Sequence, residues 1–439
     1  MIKEKISIFW FRRDLRLEDN ATLWQALKSG NKILPVFIFD TNILEHLADK
    51  KDARVLFIYR EISRLKNELE NYGSSLQVFH TTPLQAFKKI IAENTQYDVA
   101  EVFANRDYEP SARARDKEVY EFLKSQGIDF KSRKDHVIFE KNEILKSDGK
   151  PYTIFTPYSK KWKSTANEFF LKKYPSENYL KNLYCCPPFE LPKISEIGFS
   201  DFDFSYFPSC EIDVNTIENY AANRDFPSIK GTSRLSLHLR FGTTSIRRLC
   251  QIASSISEKW LDELIWRDFY QMIIYHFPDS ATKSFKPKYD KITWRDNEEE
   301  FKKWSEGKTG YPIVDAGMRE LNETGFMHNR VRMIVASFLC KHLLIDWRLG
   351  EKYFAQKLLD YDLASNVGGW QWVAGSGCDS APYFRIFNPE SQTEKFDPEF
   401  KYIKKWVPEF QDKSYEKPMV DHKFARARCL ETYKVALGS

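Results

Sequence analysis

The 439-residue sequence has no run of about eighteen apolar residues, so no membrane-spanning helix is expected. Its first residues, Met1-Ile2-Lys3-Glu4-Lys5, hold no apolar leader, and a soluble protein that stays in the cytoplasm is expected. The seven cysteines, an odd number, form no CxxC pair and no Cys/His metal spacing, even with the vicinal Cys185-Cys186. That argues against a disulfide scaffold and a zinc site; reduced thiols and no metal are expected. No GxGxxG follows the first apolar run, so the dinucleotide fingerprint is missing. Internal repeats and low-complexity segments are absent too. What is plentiful is aromatic: 15% of residues, with 11 Trp, which suits stacking chemistry as well as large cores. The net charge of +5 permits a nucleic-acid partner without requiring one.

A chain of this length suggests two or three domains. Ile6 to Phe11, Ile33 to Phe39, Leu76 to Phe79 and Val99 to Phe103 read as buried strands. Between the second and third lies a helix with Ile58, Ile62, Leu65 and Leu69 on one face, stopped by Gly73. Another helix is expected from about Ser111 to Gln126. Alternation of this kind predicts an α/β domain, a doubly wound parallel sheet, over residues 1–130. From 131 to 200, Pro151, Pro157, Pro175, Pro187, Pro188 and Pro192 punctuate a lysine-rich stretch that reads as an inter-domain linker. Residues 201–439 have helical periodicity and predict an all-α domain.

The most informative stretch is Asp360-Tyr361-Asp362-Leu363-Ala364-Ser365-Asn366-Val367-Gly368-Gly369-Trp370-Gln371-Trp372. Two carboxylates lead into an amide, a Gly-Gly step and two indoles. Buried charges are costly unless paired, and glycines let backbone approach a flat ligand. The segment resembles the flavin-binding signature of DNA photolyases and cryptochromes. The resemblance runs from Phe9-Trp10-Phe11-Arg12-Arg13-Asp14-Leu15-Arg16 to about Lys404-Lys405-Trp406-Val407.

That resemblance implies non-covalent FAD, active as the reduced anion. Lys230-Gly231-Thr232-Ser233-Arg234-Leu235-Ser236 looks like a helix start, where free N–H groups suit phosphate. By the resemblance, Thr232 to Ser236 cradle the pyrophosphate with Tyr220. Trp260, Asn329, Arg332, Asp360, Tyr361 and Asp362 border the cofactor, with Arg332 pairing Asp360. Asn366 faces flavin N5, where an amide accepts a hydrogen bond but supplies no proton; this suits repair over signalling. Trp370, Trp347 and Trp294 match an electron-transfer triad, while Trp304 reads as packing. Trp266 and Trp372 match the pair that sandwiches a flipped lesion. Glu263 matches the acid that bonds it, with Asn329 and Met333 completing the pocket. Arg224, Arg267, Arg330 and Arg385 match DNA contacts.

Within the family, Asn329-Arg330 and Trp372 resemble class I cyclobutane pyrimidine dimer enzymes. Six-four enzymes use a histidine pair there, and DASH-type cryptochromes lack the second indole. The implied function is light-dependent repair of pyrimidine dimers in single- or double-stranded DNA by a monomer in the bacterial cytoplasm. A blue-light receptor without repair activity is the alternative. Ser111-Ala112 before Arg113-Ala114-Arg115-Asp116 departs from the folate-binding pattern, and Asp107-Tyr108-Glu109-Pro110 looks closer to deazaflavin binders. The second chromophore is left open: deazaflavin-type, FMN, folate or none.

Overall fold

A computed structural model describes residues 3–93 and 96–438; Met1 and Ile2 of the leader reading lie outside them. Five strands form one sheet: β1 (Glu4–Phe11), β2 (Lys32–Asp40), β3 (Gln77–Thr81), β4 (Tyr97–Asn105) and β5 (Asp129–Arg133), in the order β3-β2-β1-β4-β5. Every pairing is parallel, with Ile6 opposite Lys32 and Phe11 opposite Phe37. Ile6 to Phe11 are all buried because both sheet faces are covered. Ile6, Ile8 and Trp10 enter one core with Phe87, Val119 and Leu123. Phe9 and Phe11 enter the other with Ile62, Leu65 and Leu69 of α1 (Ala53–Glu70). The helix expected from Ser111 is α2 (Pro110–Ser125). β5 escaped the sequence reading because Asp-Phe-Lys-Ser-Arg on a sheet edge has no apolar run.

The expected boundaries differ from those of the structure. One unit comprises the chain up to Glu140, Thr165–Cys210 and Leu235–Ile252; the other comprises Lys141–Ser164, Glu211–Arg234 and the chain from Ala253 on. Most of the stretch read as a linker over 131–200 is packed into the first unit. Leu180, Leu183, Ile194, Ile197 and Phe199 join the core with Phe9 and Phe11, and Leu183 bridges Ile33. The prolines break helices there without freeing the chain. Leu235–Ile252, expected in the helical domain, is tied to the sheet unit by a buried guanidinium. Arg247 Nε lies 2.9 Å from Asp19 and Nη2 2.8 Å from Asp135.

The second unit is helical, as expected. Its principal elements are α3 (Phe155–Thr165), α4 (Glu258–His276), α5 (Asn329–Ser337), α6 (Trp347–Lys357), α7 (Leu363–Ala374) and α8 (His422–Leu437). Val331, Val335, Trp347, Phe354, Val367 and Trp370 meet in its core. Among the described residues no helix is long and apolar enough to cross a membrane.

Candidate functional site

Helix α7 starts where a carboxylate can cap it. Asp362 accepts the Ser365 N–H at 3.1 Å, and Gln271 Nε2 of α4 donates to both its oxygens at 3.1 Å. Val367 and Trp370 face the core, which turns Asn366, Gly369 and Trp372 onto a half-buried face. A Cβ built on Gly369 meets nothing within 4 Å, so that face borders open space. The Asn366 NH2 donates to Glu351 Oε1 at 2.9 Å and to the Glu351 carbonyl at 3.1 Å. Among the described residues no donor meets its own carbonyl oxygen. Burial pushes the Glu351 carboxyl upward against the pull of Asn366 and Tyr361. Nearby, Arg332 Nη2 lies 2.9 and 3.1 Å from the two oxygens of Asp360, the pair expected from sequence.

The Lys230–Ser236 segment leads into a short helix whose start carries no side-chain cap. Leu235 stands at the N-cap of a six-residue helix, Ser236–Phe241, with no side-chain cap bond. Leu235 and Ser236 count with the first unit, while Thr232, Ser233 and Arg234 belong to the second. Arg234, at φ +53°, lays its guanidinium 4.2 Å over the Phe326 ring. Trp260 and Tyr220 are buried, and burial raises the Tyr220 hydroxyl pKa.

Helix α4 packs against α7 and turns Glu263, Trp266, Arg267 and Tyr270 to a second half-buried face. Their spacing of three, four and seven residues places them on one side of an α-helix. Glu263 is ion-paired with Arg224. Burial still moves its carboxyl upward overall, with Arg224 opposing. Arg330 donates to Asp225 at 2.7 Å and stacks 4.3 Å over Phe396. Arg224 and Arg330 are therefore held by carboxylates in the free protein. The Arg385 side chain is exposed. On α5, Asn329 Nδ2 and Arg330 Nη1 each reach the Met333 sulfur at 4.0 Å. His328 caps that helix, and burial lowers its imidazole pKa to about 4.

Trp347 and Trp370 are fully buried in the core, and neither indole N–H has a partner among the described residues. Arg348 lies 4.8 Å over the Trp347 ring. Trp294 is half-buried on the core's edge and meets Tyr433 edge-on at 6.1 Å. Trp304 is at 0% exposure, with its N–H on the Val335 carbonyl. Three positions escaped the sequence reading: Glu351, Gln271 and Phe155, whose ring lies on Trp266. Nothing in their local sequence marks them, since each acts through a contact 15 to 111 residues away. In the Asp107-Tyr108-Glu109-Pro110 stretch both acids are ion-paired: Asp107 with Arg13 at 3.5 Å, and Glu109 with Arg13 at 3.2 Å and Arg240 at 3.1 Å.

Residues 7–177 match the DNA photolyase family model, and residues 260–413 match the FAD binding domain of DNA photolyase. A deoxyribodipyrimidine photo-lyase of Vibrio cholerae is 37% identical over 98% of this chain and 100% of its own length. A bacterial class III photolyase from Agrobacterium tumefaciens superposes with a TM-score of 0.86 at 32% identity, covering 100% of this chain and 99% of that one. An archaeal photolyase from Sulfolobus tokodaii, solved with two FAD molecules, superposes with a TM-score of 0.80 at 32% identity, over 98% and 99%. FAD fits the side chains described: an open helix face carrying a free amide oxygen, an adjacent Arg332–Asp360 pair, and half-buried Thr232 and Ser233 whose hydroxyls have no partner among the described residues. In sequence, over its full length, and in fold, the chain belongs to the DNA photolyase family.

Proposed function

We propose that this chain repairs cyclobutane pyrimidine dimers in DNA by a light-driven electron transfer. FAD, when bound and reduced, supplies the electron. The observation that carries this reading is the pair of half-buried faces on adjacent helices. One holds Glu263, Trp266 and Arg267, and the other holds Asn366, Gly369 and Trp372.

Photolyases extrude their target nucleotide, which costs roughly a few kcal/mol and less for a damaged base. Stacking on Trp266 and Trp372 returns about 1–3 kcal/mol per base. Asn329 and Met333 flank that pocket, while Arg267, Arg385 and, once released from their carboxylates, Arg224 and Arg330 contact phosphates. Glu263, whose pKa burial raises against the pull of Arg224, would donate a hydrogen bond to a pyrimidine carbonyl once Arg224 has turned away and the closed pocket has protonated it. That bond matters most once negative charge has reached the dimer, so it stabilises the reacting state more than the ground state. Asn366 is oriented by Glu351 to accept from the flavin N5–H and has no proton to give. Arg332 neutralises Asp360 beside the ring system.

Trp370, Trp347 and Trp294 would relay electrons toward bound FAD. Among the described residues no acceptor meets the indole N–H groups of Trp370 and Trp347. The same reading takes the protein as a cytoplasmic monomer of class I type, with Asn329-Arg330 and Trp372 supporting that class. The decisive experiment mixes flavin-reduced protein with oligothymidine that contains dimers. Blue light should restore the thymine ultraviolet absorbance, and darkness should not. No recovery under light with a full complement of reduced FAD would exclude repair and leave a photoreceptor.

A further inference from the structure

The Trp266 indole does not stand alone. The Phe155 ring lies parallel to it, with ring centroids 3.7 Å apart and planes inclined by 4°. Its other aromatic neighbours meet it tilted or edge-on: Tyr270 at 5.4 Å and 32°, Phe269 at 5.6 Å and 80°. Phe155 is thus the one parallel ring against Trp266 among the described residues. Full overlap of this kind is less common than offset or edge-to-face packing. It persists here because the Phe155 backbone is fixed independently. Phe155 is the first residue of α3, and its N–H donates to Asp379 Oδ2 at 3.2 Å. Asp379 lies in the loop after α7 with φ +47°, a left-handed conformation that an aspartate tolerates better than most residues. One turn further along α3, Tyr158 packs on Phe269 of α4 at 5.1 Å. The stack is therefore held from both sides, by a carboxylate from the α7 loop and by aromatic contact with α4.

We infer that Phe155 is a positioning residue for the lesion: it fixes the plane of Trp266 so that a flipped pyrimidine dimer stacks on an indole already in place. This rests on the proposed role of Trp266 and adds the ring that makes that role efficient. A half-buried indole with one face clamped has lost most of its rotational freedom before the ligand arrives. Without the clamp, that ordering cost falls on binding. Immobilising one side chain corresponds to roughly 3- to 10-fold in affinity. Undamaged duplex never reaches the indole and gains nothing from the clamp.

The test compares Phe155→Leu, Phe155→Tyr and Trp266→Ala as FAD-loaded proteins, by fluorescence anisotropy with a single-dimer oligonucleotide and its undamaged counterpart. Phe155→Leu should bind the dimer roughly 3- to 10-fold more weakly, bind undamaged DNA as before, keep its FAD, and split bound dimers with unchanged yield per photon. Phe155→Tyr, which retains the ring, should restore dimer affinity. If Trp266→Ala weakens dimer binding and Phe155→Leu does not, the clamp is overturned while the lesion pocket stands. If Trp266→Ala has no effect, the pocket reading fails and the inference falls with it. Tighter dimer binding by Phe155→Leu also overturns it, because Phe155 would then occupy the face that the base needs. Equal losses for damaged and undamaged DNA overturn it as well, by making Phe155 a general support of the fold.

Discussion

Replacing Gly369 by alanine should make the protein more stable and less functional at once. Gly369 sits inside α7, where a glycine costs about 0.5–1 kcal/mol relative to alanine through the backbone entropy lost on folding. The added Cβ meets nothing within 4 Å, so no clash offsets the gain. For a unit of this size each kcal/mol moves Tm by about 2–4 °C. The flavin-free variant should therefore melt about 1–4 °C above the parent. Function should move the other way. The new methyl projects from the face between Asn366 and Trp372, the space assigned to flavin and dimer. Overpacking a filled site costs typically 1–3 kcal/mol, roughly 5- to 150-fold in affinity for whichever partner is crowded. Calorimetry of the flavin-free protein and titrations with FAD and with a dimer oligonucleotide read both effects. A lower melting temperature would refute the open face. Unchanged binding of both ligands would refute the placement of the site there.

Gly350→Ala should show the reverse sign, because its Cβ would lie 2.1 Å from Trp370 Cη2 and 2.6 Å from Leu339 Cδ2. Phe354 at 5.0 Å blocks the indole's retreat, so a loss of about 1–3 kcal/mol outweighs the helix gain, and thermal melting should show it. Trp294→Phe should abolish photoreduction of oxidised flavin yet leave repair by chemically reduced protein nearly intact; equal loss of both would make Trp294 structural. Glu263→Ala should lower the splitting yield per photon at normal FAD content, while an unchanged yield would leave Glu263 as a partner of Arg224 alone. His328 is held neutral by burial, its pKa lowered from 6.5 to about 4. The unfolded chain takes up that proton first, so the stabilisation is complete above pH 6.5 and is lost as pH falls toward 4. His328→Asn keeps a capping residue and should lose less stability than the parent on acidification, measured as urea midpoints; equal losses would assign acid sensitivity to other groups.

The sequence by itself determined the elements whose cause is local. Ile6 to Phe11, broken only by Ser7, and Ile33 to Phe39 are apolar because both sheet faces are covered, so their identity as buried parallel strands was legible. So was the Asp360 to Trp372 segment, where charge, amide, glycine and indole stand together, and so, through the family resemblance, was the Arg332–Asp360 pair. Tertiary structure decided what depends on residues far apart in the chain. The proline-rich stretch looked like a linker because punctuation is local, whereas its burial depends on Leu180, Leu183 and Phe199 finding the sheet's core. Leu235–Ile252 followed Arg247 into the first unit because a buried guanidinium must meet its carboxylates, and Asp19 and Asp135 are both on the sheet side. Glu351 orienting Asn366, and Phe155 lying flat on Trp266, carry no local signature at all. A hydrogen bond or a ring stack exists only when two separate helices are brought to within about 4 Å, and packing alone does that.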